Sequence, residues 1–191
     1  MRQPRHFDWI APFYDRLASK PDGEELAALL HLPADGPLVE VGGGTGRVAA
    51  AVASMVPLCV VSDPSIPMAR RASAKEGLSA LLGSASALPF ATGSVARVLV
   101  SDALHHFPDQ PAALREISRI LAPGGRLLIL EPDIRRLAVK MVALGETLAG
   151  MGSHMHTPRE IVALAEAAGL RASFREGRRF SVSVLADKPP A

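Results

Sequence analysis

The chain has 191 residues, 48% of them hydrophobic and 21% charged, with a formal net charge of +2. That length suits one domain able to bury a real core, and the balance is that of an ordinary soluble globular protein rather than a disordered or fibrous one. Aromatics make up 4% of the residues, and the arginine pairs Arg70-Arg71, Arg135-Arg136 and Arg178-Arg179 stand apart without interleaved rings, which reads as solvated surface rather than a stacking nucleic-acid groove.

In chain order, Met1–His6 has no apolar core of the kind a secretory leader needs. Asp22, with Glu25 three residues on, starts a helix that runs to about Leu30, and Pro33 and Gly36-Pro37 stop it. A first strand covers Leu38–Val41. The glycine-rich stretch Gly42–Gly46 then leads into an alanine-rich helix from Thr45 to about Met55. A second strand, Leu58–Ser62, holds Cys59, the single cysteine; a buried, inert thiol is expected there, with no internal disulfide and no cysteine-rich metal site. The longest apolar stretch, Val48 to Val61, is broken by Ser54 and Pro57 and falls short of the ~18 residues a membrane span needs. A cytoplasmic, reducing location is expected.

Further on, a helix covers about Ile66–Glu76, a short strand Ala80–Leu82, and a fourth strand Val95–Ser101. The run Val98-Leu99-Val100 suits a parallel strand buried on both faces. Leu114, Ile117, Ile120 and Leu121 recur at helical spacing over Pro111–Leu121. Pro123-Gly124-Gly125 stops that helix before a fifth strand, Arg126–Leu130. An apolar helix follows over Arg136–Ala149. Thr157-Pro158-Arg159-Glu160 is a capping box with proline in the first turn, and Gly169 ends its helix. Strands near Ala172–Glu176 and Phe180–Ala186 form a hairpin about Gly177-Arg178-Arg179, and Lys188–Ala191 reads as a loose tail. Alternation of strand and helix predicts an α/β fold. It is a doubly wound, mostly parallel seven-stranded sheet with an antiparallel hairpin at one edge. The whole chain, 1–191, is one domain.

Val39-Glu40-Val41-Gly42-Gly43-Gly44-Thr45-Gly46-Arg47 concentrates the chemistry. A strand ends in an acid, then glycines let a ligand approach bare backbone, then a helix start aims N–H groups at negative charge. A second acid, Asp63, ends the next apolar run. Two acids at neighbouring strand ends beside a glycine turn suit a nucleoside with a ribose diol and a charged tail. A dinucleotide fingerprint from Gly42 fails, because its last position falls on Arg47. From Gly44 it fits through Gly46 and Ala49, but leaves Glu40 without a role. The spacing E-x-G-x-G-x-G uses Glu40, Gly42, Gly44 and Gly46 together. The plain alternative is a turn that only closes a strand–helix junction.

With that spacing the chain resembles the class I S-adenosylmethionine-dependent methyltransferases. It is most similar to the small metal-independent group that includes the ubiquinone/menaquinone C-methyltransferases. The resemblance runs from about Phe7 to about Ala186. It is carried also by Phe7-Asp8, Ala11 and Tyr14-Asp15; by Asp63-Pro64-Ser65 and Met68; by Leu88-Pro89-Phe90; by Ala103-Leu104-His105-His106-Phe107; and by Leu114-Arg115-Glu116-Ile117 through Pro123-Gly124-Gly125. It implies a Rossmann-like methyltransferase fold, residues 1–30 as a helical cap over the cofactor, and 134–157 as a wall of the substrate site. It implies S-adenosylmethionine as cofactor and S-adenosylhomocysteine as product. Gly42, Gly44 and Gly46 would lie along the methionine part, Glu40 would answer the amino group directly or through water, and Asp63 would accept from the ribose hydroxyls. Pro64 and Met68 would cover the adenine faces. The N–H of Ala85 and the carbonyl of Ser101 would meet the adenine edge. Ser84 stands where the family usually has an acid, and Val95-Ala96 where it has Phe-Asp.

Methyl transfer from a sulfonium is an in-line displacement that depends on alignment, with a base needed only if the acceptor must lose a proton. His106 is the expected base or acceptor contact, against a plain packing role. Tyr14 either closes over the methyl or seals the pocket, and His105 is expected to point away. His154 and His156 fall in the wall segment. No metal is expected, since the histidines lack an acid or cysteine at ligand spacing. Ser101-Asp102-Ala103-Leu104 is not the Asn/Asp-Pro-Pro-Tyr/Phe signature that resembles amine methylation on bases. The expected partner is a small organic acceptor, methylated at carbon, oxygen or nitrogen, with no nucleic acid; a homodimer stays open. A non-catalytic binder of the same cofactor and fold is the alternative.

Overall fold

In a computed structural model the described residues are 21–136, 139–140, 154–177 and 181–190. The strands are β1 Leu38–Val41, β2 Cys59–Asp63, β3 Leu78–Leu82, β4 Val95–Ser101, β5 Leu121–Pro132, β6 Arg171–Glu176 and β7 Ser181–Asp187. The described α-helices are α1 Gly23–Leu30, α2 Ile66–Ser73, α3 Gln110–Ile120 and α4 Pro158–Ala167. The seven strands form a single sheet of order β3-β2-β1-β4-β5-β7-β6. Strands β1 to β5 pair in parallel, while β7 lies antiparallel to both β5 and β6, so the hairpin sits at the edge as expected.

The sheet is covered on both faces. One face packs Val39, Val41, Val98, Val100 and Ile129 with Leu114 and Ile117 of α3 and Ile161 and Ala165 of α4. The other packs Leu38, Cys59, Val61, Leu99 and Leu128 with Leu26 and Leu30 of α1 and with Val48 and Val52. All four residues of β1 are buried, as a central parallel strand requires.

Capping signals place the helix starts. Asp22 accepts from the N–H of Glu25, and Thr157 and Glu160 form the reciprocal capping box. The far end of α1 lacks a basic residue in its last turn. Arginines from the sheet replace it: Arg97 donates to the Leu30 carbonyl at 2.6 Å and to that of His31 at 3.2 Å, and Arg126 donates to that of Leu29 at 3.1 Å. Arg126 is itself held by both carboxylate oxygens of Asp187.

The expected helix over Thr45–Met55 is not an α-helix. Residues 44–48 form turns, followed by short 3-10 segments at Ala49–Ala51 and Ala53–Met55. The cause is visible at one rung of the ladder that an α-helix would need. The Ala49 N–H donates to Glu40 Oε2 at 3.1 Å, and the Thr45 carbonyl accepts from Lys75 Nζ at 2.6 Å, so both ends of that rung are engaged elsewhere. Strand β5 starts at Leu121 rather than Arg126. The tail is not loose at its start: Lys188 exchanges backbone hydrogen bonds with Gly124 and Gly125, and its Nζ caps α3 at the carbonyls of Ser118 and Leu121. Residues 1–20, with Tyr14, most of the 136–149 helix and the hairpin tip at 178–180 lie outside the described residues.

Candidate functional site

In the strand order the chain runs outward from β1 through β2 to β3, then returns to β4 on the other side of β1. Crevices outside the carboxyl ends of strands at such a switch point are where ligands of open α/β sheets bind. Glu40, Gly42, Gly44, Gly46, Asp63, Ser84, Ala85 and Ser101 all stand at or just past those ends.

The glycine turn needs its glycines for different reasons. Gly42, Gly44 and Gly46 have φ of +70°, +54° and +70°, the left-handed region that side chains disfavour. A Cβ on Gly42 would come within 2.9 Å of Phe107, and one on Gly46 within 2.7 Å of Leu78. Those two glycines serve packing as well as conformation. At Gly44 the nearest atom is Met68 Sδ at 3.7 Å, so that position faces room and its backbone can be approached.

The two acids hold this turn. Asp63, 8% exposed, accepts from the N–H of Gly44 at 2.9 Å and from that of Ser65 at 2.8 Å, which joins the turn to the start of α2. Glu40 lies below the turn, with a Cβ on Gly43 placed 2.7 Å from its Cγ. Burial pushes its carboxyl up to about 8, against the Ala49 N–H and the positive charges of Arg47 and Lys75, which pull it down. Glu40 therefore braces the turn from beneath.

Among the expected adenine residues, Met68 is buried at 3% exposure beneath the glycine turn, while Pro64 is exposed. Ile66 and Leu82, which sequence reasoning missed, add large exposed apolar surface at the ends of β2 and β3. An isoleucine two residues after the Asp-Pro pair, directly after the capping Ser65, was the available signal. Ser84 is exposed and bonded to Ser86 in the turn after β3, and Ala85 is half-buried against the core. Ser101 is half-buried at the end of β4.

Past β4, Asp102 holds a left-handed φ of +53° and its N–H donates to the Leu130 carbonyl at 2.8 Å. His106 is half-buried, with its ring 4.0 Å from that of His105. His105, 3% exposed, points inward and pairs through Nδ1 with Glu131 Oε2. The other oxygen of Glu131 accepts from the N–H groups of Ala103 and Leu104 at 3.0 and 2.8 Å. Nothing in the sequence joined His105, in the 3-10 turn Leu104–His106 after β4, to Glu131 at the end of β5. His154 and His156 do not meet the other histidines as ligands. The N–H of His154 donates to the His105 carbonyl at 2.8 Å, and His156 stands 3.7 Å from Glu160. Beyond β5, Asp133, 2% exposed, is held below the usual carboxylate range by the guanidinium of Arg135. Among the described residues no group of histidine, cysteine, aspartate or glutamate side chains could hold a metal, and no helix is long and apolar enough to cross a membrane.

Comparison with known proteins agrees with this geometry. A family model described as a methyltransferase domain matches residues 39–129, from β1 to β5. The chain is similar to the ubiquinone/menaquinone biosynthesis C-methyltransferase of Rubrivivax gelatinosus, at 40% identity over 49% of this chain and 38% of that protein. It is 37% identical to the enzyme of the same description from Syntrophotalea carbinolica, over 65% of this chain and 59% of that one. The chain spans about half the length of the curated relatives it matches. In structure it resembles a chain from the complex of the Haloferax volcanii Trm112 methyltransferase activator with a methyltransferase, at a TM-score of 0.80 and 20% identity over 99% of both chains. That last likeness speaks to the fold.

Proposed function

The chain belongs to the class I S-adenosylmethionine-dependent methyltransferases, in the ubiquinone/menaquinone-type group, and from this premise we propose that it transfers a methyl group from S-adenosylmethionine to a small organic acceptor. The observation that carries the reading is the Asp63–glycine-turn assembly. Its carboxylate spans the Gly44 and Ser65 N–H groups, and Gly44 presents open backbone beside it.

In this reading Asp63 accepts hydrogen bonds from the ribose diol, and Gly42, Gly44 and Gly46 run along the methionine part. The cofactor supplies an electrophilic methyl on a sulfonium. Glu40 acts through the turn it braces and contributes negative charge near the cationic end when ionised. Exposed Pro64, with Ile66 and Leu82, offers apolar surface for the adenine, while Met68 supports the turn from below. Ser84, Ala85 and Ser101 edge the ring. The residues of the chain then align the acceptor for in-line attack and exclude water. His106 is the side chain past β4 proposed to contact the acceptor or take its proton, and Tyr14 is proposed to seal the site. The curated relatives favour an acceptor of quinone-precursor type, methylated at carbon; oxygen or nitrogen acceptors remain within the same chemistry.

Calorimetric titration with S-adenosylmethionine, S-adenosylhomocysteine and NADH tests this. Binding of the first two and not the third is the expected result, and Asp63→Ala weakens it by about tenfold or more, as loss of charge-assisted bonds should. A panel of naphthoquinol, phenol and amine acceptors then reads turnover. Absence of binding by both sulfur compounds overturns the reading. Binding without turnover on any acceptor favours the non-catalytic cofactor-binding protein of the same fold.

A further inference from the structure

We infer that Glu131 and His105 are positioning residues that lock the acceptor side of the crevice together, independently of the cofactor side. The inference rests on the methyltransferase reading only for the word acceptor; the coupling itself is a property of the fold. The proposed cofactor-binding features gather at the ends of β1, β2 and β3, with Ser101 at the end of β4 meeting them at the adenine edge. Across the switch point, the ends of β4 and β5 and the approach to α4 form the other half.

A single hydrogen-bonded network joins those parts. Glu131, from the end of β5, takes the Ala103 and Leu104 N–H groups on one oxygen and the His105 ring on the other. The carbonyl of His105 accepts the N–H of His154 at 2.8 Å, and the carbonyl of His154 accepts Gln110 Nε2 at 2.9 Å. Gln110, at the start of α3, is 4% exposed and its Oε1 has no hydrogen-bond partner within the described chain. The loop thus held carries Asp102 and His106, and the segment thus held carries His154 and His156 into α4.

Burying such polar groups is expensive, and a carboxylate–imidazole pair is a poor way to gain stability compared with apolar packing. What it supplies is direction. The carboxylate fixes which His105 nitrogen bears the proton and how the ring sits, as outer partners of functional histidines commonly do. With the ring fixed, the His105 carbonyl stays aimed at His154, some fifty residues further along the chain.

Native-state amide exchange and imidazole proton spectra, with calorimetry on S-adenosylhomocysteine, test the coupling. His105→Ala leaves the His105 backbone carbonyl in place. It should nonetheless raise exchange at Ala103, Leu104 and His154 together by about tenfold, while Gly44 exchange and S-adenosylhomocysteine affinity stay within about twofold. Glu131→Gln should shift the His105 imidazole proton resonances and raise the same amides. His105→Asn, which can still offer a donor to Glu131, should restore protection at Ala103 and Leu104. On any acceptor that the panel yields, His105→Ala should lose kcat and keep KM for S-adenosylmethionine.

Unchanged exchange at His154 overturns the inference, because the pair would then act only on its own loop. An equal rise at Gly44 also overturns it, because the loosening would be general. If the unmodified protein fails to bind S-adenosylhomocysteine, the methyltransferase reading falls, while the exchange result at His154 still decides the coupling.

Discussion

Glu40 shows how far the part played by one residue depends on the fold around it. Its place before the glycines made it a candidate for contact with the cofactor, and its side chain is buried beneath the turn with the Ala49 N–H on it. Its folded-state carboxyl keeps a proton up to about pH 8, whereas the ordinary value is 4.5. Between those values the folded state binds more protons than the unfolded state, so its contribution to stability falls as pH rises through that window and is level above it. Glu40→Gln removes the titration and keeps an acceptor for Ala49. The variant should melt close to the unmodified protein at pH 5 and higher than it at pH 9, a comparison that thermal unfolding at the two pH values reads directly. Cys59 is the simpler case: buried in β2, its thiol is pushed up to about 12 by burial. A maleimide should leave it untouched in native protein and label it on unfolding. The apolar run around Cys59 was enough to foresee that burial. No such local signal marked His105, whose partner Glu131 is distant in sequence, so that the pair exists only once β4 and β5 lie side by side.

At the scale of elements, legibility follows how local the deciding interactions are. The α4 start was legible because Thr157 and Glu160 satisfy each other within one turn. The 45–55 stretch was misread because its fate is set by Lys75, thirty residues on, and by Glu40 from the preceding strand. Alanine-rich sequence favours a helix only where its backbone groups have no better partners. The same logic lengthened β5, where the Pro123-Gly124-Gly125 stop signal is held in the ladder by Lys188 from the far end of the chain. Helix α1 is the case in which the sheet completes a helix. Without basic residues in its last turn, it ends on guanidinium donors from β4 and β5. Arg126→Ala leaves the Leu29 carbonyl without its guanidinium donor and frees Asp187, and should cost about 2 kcal/mol of stability, measured by denaturant unfolding. An unchanged midpoint would mean that water replaces the guanidinium at no loss.

Over the whole molecule, the alternating pattern carries the parallel sheet and its crossovers, because each apolar strand followed by an amphipathic helix has few other ways to bury both. The position of β7 between β5 and β6 follows from the hairpin and needed the structure to be seen. The same topology puts stability and ligand recognition at opposite ends of the strands. The arginine clamp on α1 lies level with the start of β1, where Leu38 pairs with Arg97 and Arg97 with Arg126, and the glycine turn lies at the carboxyl end of β1. Gly44→Ala places a methyl in ordinary contact with Met68 Sδ, without a clash, at a left-handed φ, costing about 1 kcal/mol, yet it stands where a ligand is proposed to touch backbone. It should therefore weaken S-adenosylhomocysteine binding far more than it lowers the melting temperature. Gly46→Ala should do the reverse, because its methyl meets Leu78 and Val61 in the core. Arg126→Ala should leave the dissociation constant unchanged. Because the two ends share no partner, the stability losses of Gly44→Ala and Arg126→Ala should add within about 0.5 kcal/mol in the double variant. A larger departure from additivity would mean that the strands transmit strain from the α1 clamp to the glycine turn, and that the sheet is not a passive frame between them.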